Sequence, residues 1–245
     1  MKSESHISQN CLQTLREVKP ARHAAGKHSL PKSDIRRTGR RTDDNIFRYF
    51  CIRSGEDWLK TKQLMETIKR QDLRNTGGGQ YYEETTFEGC ELSGMSLDGM
   101  AFEDCIFTEC NLSLSIMSCR LSDCTFRKCK MNGTDFSHLG KLSSGLVFEN
   151  CDLSFAIFER CNLKKSRFSG CNIREAAFFD ANLTESIFKD CDLYRAGFQG
   201  ANLSKADLSQ ARNWSIVPES CFLNKTIFSE DNLRGLVGHL NIVIK

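Results

Sequence analysis

Large apolar residues recur at every fifth position over most of the chain, a period that matches neither a helix nor a strand. The segment ANLTESIFKDCDLYRAGFQGANL shows it, with Leu183, Phe188, Leu193, Phe198 and Leu203 at equal steps. A helix repeats its apolar face about every 3.6 residues and a strand every 2. The spacing therefore predicts a backbone that turns a corner once in every five residues.

This five-residue repeat continues through the C-terminal two-thirds of the chain with two irregularities. Its large apolar centres run from Phe87 to Met117, resume one residue early at Leu121 and, after a two-residue insertion, restart at Phe148. A last group keeps the phase as far as Leu233. Two residues before most centres stands a small residue, so two of every five positions face inward and the others are free to be polar.

The centres alternate between Phe and an aliphatic residue from Phe148 onward, which fixes the number of sides of each coil. Stacked coils place residues one turn apart about 4.8 Å from each other. The alternation stays in columns only if a turn has an even number of sides, and four sides correspond to 20 residues. The predicted columns are Phe148/Phe168/Phe188, Phe158/Phe178/Phe198, Leu153/Ile173/Leu193 and Leu163/Leu183/Leu203.

Several pentads are nearly literal copies of a known consensus. ANLTE, CDLYR, ANLSK and ADLSQ resemble the A-[DN]-L-x-x unit of the pentapeptide-repeat family, and the resemblance covers roughly residues 83–235. It implies an all-β fold, a right-handed quadrilateral β-helix. The number of centres corresponds to about seven coils and a rod on the order of 30–35 Å long.

The chain divides into four predicted parts. Residues 1–45 are predicted to be a disordered basic arm, residues 46–80 a helical segment with a Gly-rich hinge, and residues 81–235 the β-helix. Residues 229–245 are predicted to form a capping and dimerisation helix. Such covers are expected because both ends of a solenoid expose unpaired backbone edges.

Both predicted helices depend on apolar spacing and on cap residues. The first spans residues 54–73, where Ser54 and Asp57 imitate a capping box and Ile68 lies on the apolar face with Trp58 and Met65. The second follows a candidate cap at Ser229, and its apolar residues stand at helical spacing. The residues of this second apolar face are Leu233, Leu236, Val237 and Leu240.

Charge is distributed unevenly along the chain. Residues 1–80 carry 17 Lys and Arg against 9 Asp and Glu, whereas residues 81–245 carry 17 against 22. Between residues 81 and 119 there are acids and no Lys or Arg. These acids form either a solvated face that keeps the rod soluble or a surface that presents carboxylates to a cationic groove. They are Glu83, Glu84, Glu88, Glu91, Asp98, Glu103, Asp104 and Glu109.

Two further surface features are candidates for binding. Arg36, Arg37, Arg40 and Arg41 in the arm could contact nucleic acid, a membrane or the acidic coils, or form a solvated tail without a partner. Residues 137–146, which include His138 and Lys141, break the five-residue spacing. They are expected either to protrude as a loop or to be a simple corner insertion.

The sequence offers no recognisable catalyst, metal site or cofactor motif. Eleven of the 13 cysteines occupy the small inward position, where a thiol acts as a small hydrophobe. Their spacing does not fit a zinc knuckle. The five histidines stand at no recognisable distance from an acid or nucleophile. We therefore expect a protein-binding surface that has no enzymatic activity and takes no cofactor and no small-molecule substrate.

The resemblance implies three functions. In one branch of the family, rods similar in shape and charge to B-DNA occupy the DNA site of type II topoisomerases and confer resistance to quinolones or gyrase toxins. Residues 213–244 look like the end of that branch, where a final helix forms a dimer. This interpretation is favoured and implies a bacterial cytoplasmic protein that binds a topoisomerase, with no direct nucleic-acid binding by the rod.

Two alternatives remain open. The plan of the chain is similar to that of effectors secreted through type III or similar systems into a host cell, without a cleavable signal peptide. In that case residues 1–45 would direct translocation and the rod would bind a host protein. The other alternative is a cytosolic scaffold for protein interactions.

Overall fold

Short parallel strands and bridges form the walls of a β-solenoid. The computed structural model describes residues 67–69, 80–240 and 242–243, which lie in one compact unit, Lys62–Lys245. The strands are β1 (Thr67–Lys69), β2 (Tyr81–Glu83), β3 (Thr86–Glu88), β4 (Ala101–Glu103), β5 (Ile106–Thr108), β6 (Arg120–Ser122), β7 (Thr125–Arg127), β8 (Val147–Glu149), β9 (Arg167–Ser169) and β10 (Ile187–Lys189).

Each coil contributes one side to each of four walls. Wall 1 contains the three-stranded sheet β2-β4-β6, and wall 2 contains the seven-stranded sheet β1-β3-β5-β7-β8-β9-β10. Walls 3 and 4 are joined by isolated parallel bridges, for example Asp152 with Asn172 in wall 3 and Ile157 with Ala177 in wall 4. Partners in successive regular coils are 20 residues apart. The predicted four-sided coil is confirmed.

The core consists of the inward centres, stacked one coil above the next. Phe148, Phe168 and Phe188 form parallel stacks with centroid distances of 5.0 and 4.8 Å. The facing column meets this one edge to face, as Phe178 does with Phe168 at 6.3 Å and 87°. All these rings are buried, and aromatic pairs in these two arrangements are favourable beyond the apolar area that they bury.

The two irregularities of the repeat are absorbed at corners without loss of register. Phe126 still pairs with Phe107 below and with Phe148 above. Within residues 137–146, the amide of Gly140 donates to the carbonyl of Cys119 and that of Ser144 donates to Leu121. These bonds hold the segment on the ladder, so it is a corner insertion rather than a protruding loop.

The corners share one backbone conformation. The residue two places after a centre has a positive φ in nearly every pentad, as at Lys165 (61°) and Glu185 (61°). This left-handed conformation is easy for glycine and strained for other residues. In three coils the side-chain oxygen of an Asp or Asn lies against a glycine of the next coil. The pairs are Asp123 with Gly145, Asn150 with Gly170 and Asp180 with Gly200.

The N-terminal end differs from the prediction. Ile68 was expected on the face of a helix, but it lies in β1, pairs with Phe87 and packs against the core. The apolar side chain fits the column of wall 2, and the parallel ladder satisfies the edge of β3. The remainder of the predicted helix lies outside the described residues, as does the arm of residues 1–45.

At the C-terminal end the predicted cap is present as a 3-10 helix, Glu230–Leu236, with Ser229 at the N-cap position. It covers Trp214, whose ring meets that of Phe228 at a centroid distance of 4.7 Å and an interplanar angle of 34°. The amide of Ile216 donates to the carbonyl of Gly235 in this helix. A shorter 3-10 helix, Pro218–Ser220, precedes it.

Candidate functional site

An acidic row follows the corner between walls 1 and 2. Glu84, Asp104 and Asp123 occupy the left-handed position of three successive coils, with φ of 46°, 51° and 51°, and all are exposed. The backbone amide of Glu84 donates to the carbonyl oxygen of Glu103, and that of Asp104 donates to the carbonyl oxygen of Ser122. These bonds between coils hold the row in register. We call these three residues the acidic corner. Their spacing along the rod is about 4.8 Å, the distance between paired strands.

The carboxylates of the acidic corner form no ion pair with a Lys or Arg in the part of the chain that the structure describes. Beside them, Glu83 pairs in register with Glu103. Glu103 accepts a hydrogen bond from the Tyr81 hydroxyl at 2.8 Å and lies 3.9 Å from Arg120. The acidic corner therefore lies beside a second pair of acids, Glu83 and Glu103, in which Arg120 partly neutralises the charge of Glu103.

The acidic surroundings of Tyr81 contribute to a shift in its pKa. Burial, the hydrogen bond to Glu103 and the negative charges of Glu83 and Glu103 together raise the pKa of Tyr81 well above its ordinary value. Each of these effects disfavours a phenolate. Tyr81 therefore remains a donor that orients the carboxylate of Glu103.

Four other predicted acids lie elsewhere or have partners. Glu88 pairs with Lys69 at 2.9 Å, and Glu109 lies 3.7 Å from Lys128. Glu91 accepts hydrogen bonds from the side-chain amide of Asn111. Lys69 and Lys128 belong to neighbouring coils and lie outside residues 81–119, so the acid-rich window does not show them. Asp98 lies on wall 4, away from the acidic corner.

Asp123 was not among the predicted site residues, because the acid-rich window ended at Cys119. Its place in the five-residue repeat indicates the position. Asp123 is two residues after the centre Leu121, just as Asp104 is two residues after the centre Phe102. The early restart at Leu121 places Asp123 in the same corner column, one coil further along. The chain positions alone were sufficient to find it.

The same corner changes character toward the C-terminus. Lys165, Glu185 and Lys205 occupy it in later coils, and both lysines contact the carboxylate of Glu185, at 3.8 and 3.6 Å. Lys225 follows in the same backbone conformation. The acidic corner is thus confined to the first coils.

The cysteines line the core in columns. One column rises along the wall 2–wall 3 corner and contains Cys90, Cys110, Cys129, Cys151, Cys171 and Cys191, all buried. Within the column, the hydrogen bond with Cys129 lowers the pKa of Cys110, and the same bond raises the pKa of Cys129. Outside it, burial raises the pKa of Cys119 to about 12. No cation adjoins these thiols, and they act as small core residues.

The other predicted site residues are separated in space. His138 and Lys141 are exposed on the corner insertion. Of the predicted dimer residues, Leu236 packs against the core, Val237 follows the 3-10 helix, and Leu233 and Leu240 are 44% and 47% exposed. The prediction that these four residues share one apolar face assumed an α-helix, but the segment Glu230–Leu236 is a 3-10 helix. The arginines Arg36, Arg37, Arg40 and Arg41 lie outside the described residues.

Two searches of the described residues gave no further site. In residues 67–69, 80–240 and 242–243 there is no group of three or more His, Cys, Asp and Glu side chains arranged to hold a metal ion. No helix in the same residues is long and apolar enough to cross a membrane.

Comparison with known proteins identifies one family model, described as a pentapeptide repeat region, which matches residues 82–142 and 146–212. No curated protein sequence matches the chain.

Solved structures with similarity to this chain include pentapeptide-repeat proteins. A trypsin-treated form of QnrB1, a plasmid-mediated fluoroquinolone resistance protein, is 21% identical; the match covers 74% of this chain and 98% of that chain, with a TM-score of 0.43. HetL from the cyanobacterium Nostoc, involved in heterocyst differentiation regulation, is 18% identical, with coverages of 76% and 92% and a TM-score of 0.21.

Proposed function

This chain belongs to the pentapeptide-repeat family, and from that membership we propose that it is a non-enzymatic binding protein that imitates DNA. Its acidic corner is the surface that enters the cationic DNA-binding groove of a type II topoisomerase such as DNA gyrase. The bound rod excludes or displaces DNA and so protects the enzyme from inhibitors that need the DNA complex. The site of action is then the bacterial cytoplasm.

The observation that carries the proposal is the acidic row of Glu84, Asp104 and Asp123, which forms no ion pair within the described residues and is held in register by backbone hydrogen bonds between coils. Its carboxylates repeat about every 4.8 Å, a regular line of negative charge that is wider than the spacing of about 3.4 Å along one DNA strand. A groove lined by Lys and Arg attracts an ordered row of carboxylates, because surfaces of opposite charge steer each other together.

The C-terminal sequence gives independent support. Residues 213–244 resemble the end of the resistance branch of the family, and they form the capped end of the rod, where Trp214 lies beneath the 3-10 helix. Secretion as an effector would depend on residues 1–45, which lie outside the described residues.

The test is a gyrase supercoiling assay with the full chain titrated in, with and without a quinolone. Micromolar protein is expected to inhibit supercoiling or to protect gyrase from the drug. The triple variant Glu84→Lys/Asp104→Lys/Asp123→Lys is expected to lose at least about tenfold in potency, as loss of complementary charge in an interface does. No effect of the unaltered chain at tens of micromolar contradicts the proposal.

A matched control separates position from net charge. Glu175→Lys/Asp180→Lys/Asp190→Lys makes the same change in charge at three other left-handed corners, with φ of 56°, 57° and 54°. This variant is expected to stay within about twofold of the unaltered chain, because only long-range steering changes. Equal loss in both triple variants would show that net charge alone, and not the acidic corner, determines binding.

The proposal includes a homodimer through the C-terminal end. Leu233 and Leu240 are half-exposed there, and burial of such side chains between two copies is favourable. Light scattering at micromolar concentration is expected to give the mass of a dimer, and Leu233→Ser/Leu240→Ser a monomer. A monomeric mass for the unaltered chain contradicts this assembly.

A further inference from the structure

A group of exposed apolar side chains lies on one side of the rod, away from the acidic corner. Leu114 and Phe155, 68% and 57% exposed, lie on the corner between walls 3 and 4. Ile116 and Phe179, 40% and 38% exposed, lie on wall 4 itself, next to the half-buried Ile157. We call these five residues the apolar wall.

The backbone at this corner is unfavourable for the residues that it carries. Leu114 and Phe155 have φ of 59° and 58°. Every other non-glycine residue with positive φ in the described chain is Asp, Glu, Lys, Arg or Asn. A bulky apolar residue is the least suited to this conformation, and strain of this kind points to a function when the fold does not require the side chain. Neither side chain is needed by the core.

Glycines of neighbouring coils leave room for two side chains of the apolar wall to pack against the backbone. A Cβ at Gly133 would stand 2.8 Å from Cδ2 of Leu114, and a Cβ at Gly197 would stand 2.5 Å from Cε1 of Phe179. The leucine and the phenylalanine ring therefore rest directly on glycine backbone. Side chains that are already held in place lose little conformational entropy when a partner covers them.

The charges on wall 4 have one sign. Its outward positions include Asp98, Asp135 and Glu159 and no Lys or Arg, whereas each of the other walls includes bases, such as Arg174 on wall 3. On the flanking corners the arginines are directed elsewhere. Arg160 lies 4.0 Å from Asp180, and the guanidinium of Arg195 lies over the Tyr194 ring of wall 3 at 5.2 Å.

We infer that the apolar wall is a docking surface for a basic amphipathic segment of a partner protein, with an apolar stripe flanked by Lys and Arg. The stripe would cover Leu114, Phe155 and Phe179, and the bases would face the acids of wall 4. A second copy of the rod would bring the same acids against each other, and anionic lipid or nucleic acid would be repelled by them. The inference does not depend on binding to gyrase.

The probe is a fluorescein-labelled designed peptide of about 14 residues, built from Leu and Lys so that a helix has one apolar and one basic face. Fluorescence anisotropy with the full chain is expected to show saturable binding. A peptide with Glu in place of every Lys is expected to bind at least about tenfold more weakly, because its charges oppose those of wall 4. Equal binding of both peptides, or no binding of the Lys peptide, overturns the inference.

The protein variant is Leu114→Asn/Phe155→Asn. Asn tolerates the left-handed conformation, so the thermal midpoint is expected to stay the same or to rise. Peptide affinity is expected to fall at least about tenfold, the effect of losing central apolar anchors. The matched control is Ile187→Asn/Tyr194→Asn, which removes side chains that are 38% and 37% exposed on walls 2 and 3. The same loss in both double variants overturns the inference.

Two further measurements exclude other occupants. The acidic-corner variant Glu84→Lys/Asp104→Lys/Asp123→Lys is expected to bind the Lys peptide about as well as the unaltered chain, because those residues lie on another side of the rod. A dimer that dissociates in Leu114→Asn/Phe155→Asn would instead show that a second copy covers the apolar wall.

Discussion

The first and the last coils present opposite chemistry on the same corner of the same backbone. In the first coils three acids stand in a row and form no ion pair with a Lys or Arg of the described residues, and in later coils two lysines share one glutamate. The left-handed conformation is the same in both regions. The backbone and the inward residues thus set the fold, while the outward residues are free to set the partner. The two sets are Glu84, Asp104 and Asp123, and Lys165, Glu185 and Lys205.

The charges at this corner affect the stability of the first and the later coils differently. Exposed ion pairs such as Lys165 with Glu185 contribute about 0–1 kcal/mol, so the later coils gain little from their pairing. Three like charges repeating about every 4.8 Å weaken the first coils. A feature that opposes stability and that the fold does not require is expected at a functional surface.

The largest expected effect tests whether the two regions share one scaffold. Phe107 in the early coils stacks between Phe87 and Phe126 at 4.6 and 4.8 Å, and Phe168 in the later coils stacks between its own neighbours in the same way. Phe107→Ala and Phe168→Ala are each expected to lower the free energy of unfolding by about 3–5 kcal/mol, because each leaves a cavity in a closed core. Urea unfolding measures both.

A loss below about 1 kcal/mol in one variant only, far less than a buried Phe→Ala change removes, would show that the two regions do not share the same core packing. The exposed Phe222→Ala on the last coils is the control for loss of an aromatic ring without a cavity, since this side chain is 65% exposed.

The sequence was sufficient for the architecture because the core is strictly periodic. The Phe/Leu alternation after Phe148 predicted which residues stack, and the rings of Phe148, Phe168 and Phe188 do so. The one-residue slip and the insertion were also visible, since each shifts the pentad phase. A solenoid makes contacts only with neighbouring coils, so its register can be read from the chain alone.

The sequence was not sufficient at the ends and on the surface. Ile68 has helical spacing with Trp58 and Met65, but the open edge of β3 provides a strand partner, and tertiary pairing overrides local pattern. The acid-rich window likewise did not show that Lys69 and Lys128 reach Glu88 and Glu109 from other coils. Such partners are found only by comparing side chains one coil apart, and Lys69 lies in a strand that the five-residue repeat does not predict.

A smaller effect is expected from exchanging the chemistry of the corner. Lys165→Glu/Lys205→Glu gives the later coils an acidic row around Glu185 and removes both ion pairs. The free energy of unfolding is expected to fall by roughly 1 kcal/mol at low salt and by much less in about 1 M salt, where exposed charges are screened. Urea unfolding at the two ionic strengths measures the change.

The reverse change gives the companion measurement. Glu84→Gln/Asp104→Asn removes two like charges from the acidic corner, and it is expected to raise the free energy of unfolding by a few tenths of a kcal/mol at low salt. A decrease would mean that these carboxylates stabilise the first coils, and the contrast between the two regions would then be structural rather than functional.

The smallest effect is expected from Tyr81, which belongs to the first coils and has no counterpart in the later ones. Its pKa is raised, first by burial and then by Glu103. A tyrosine whose pKa is raised on folding contributes stability that is complete below its unfolded pKa of about 10 and is lost as the pH rises through the folded value. Tyr81→Phe is therefore expected to make unfolding less sensitive to pH above about pH 10.

Glu103→Gln distinguishes the two causes of this shift. The amide oxygen of Gln can still accept the phenol proton, but it carries no charge, so the pKa of Tyr81 is expected to fall only part of the way toward its ordinary value. Absorbance titration of phenolate at alkaline pH, taken as the difference from Tyr81→Phe, isolates this residue. An unchanged titration in Glu103→Gln would show that the charge of Glu103 does not contribute to the shift, and the negative field of the first coils would then be too weak at Tyr81 to support their contrast with the later coils.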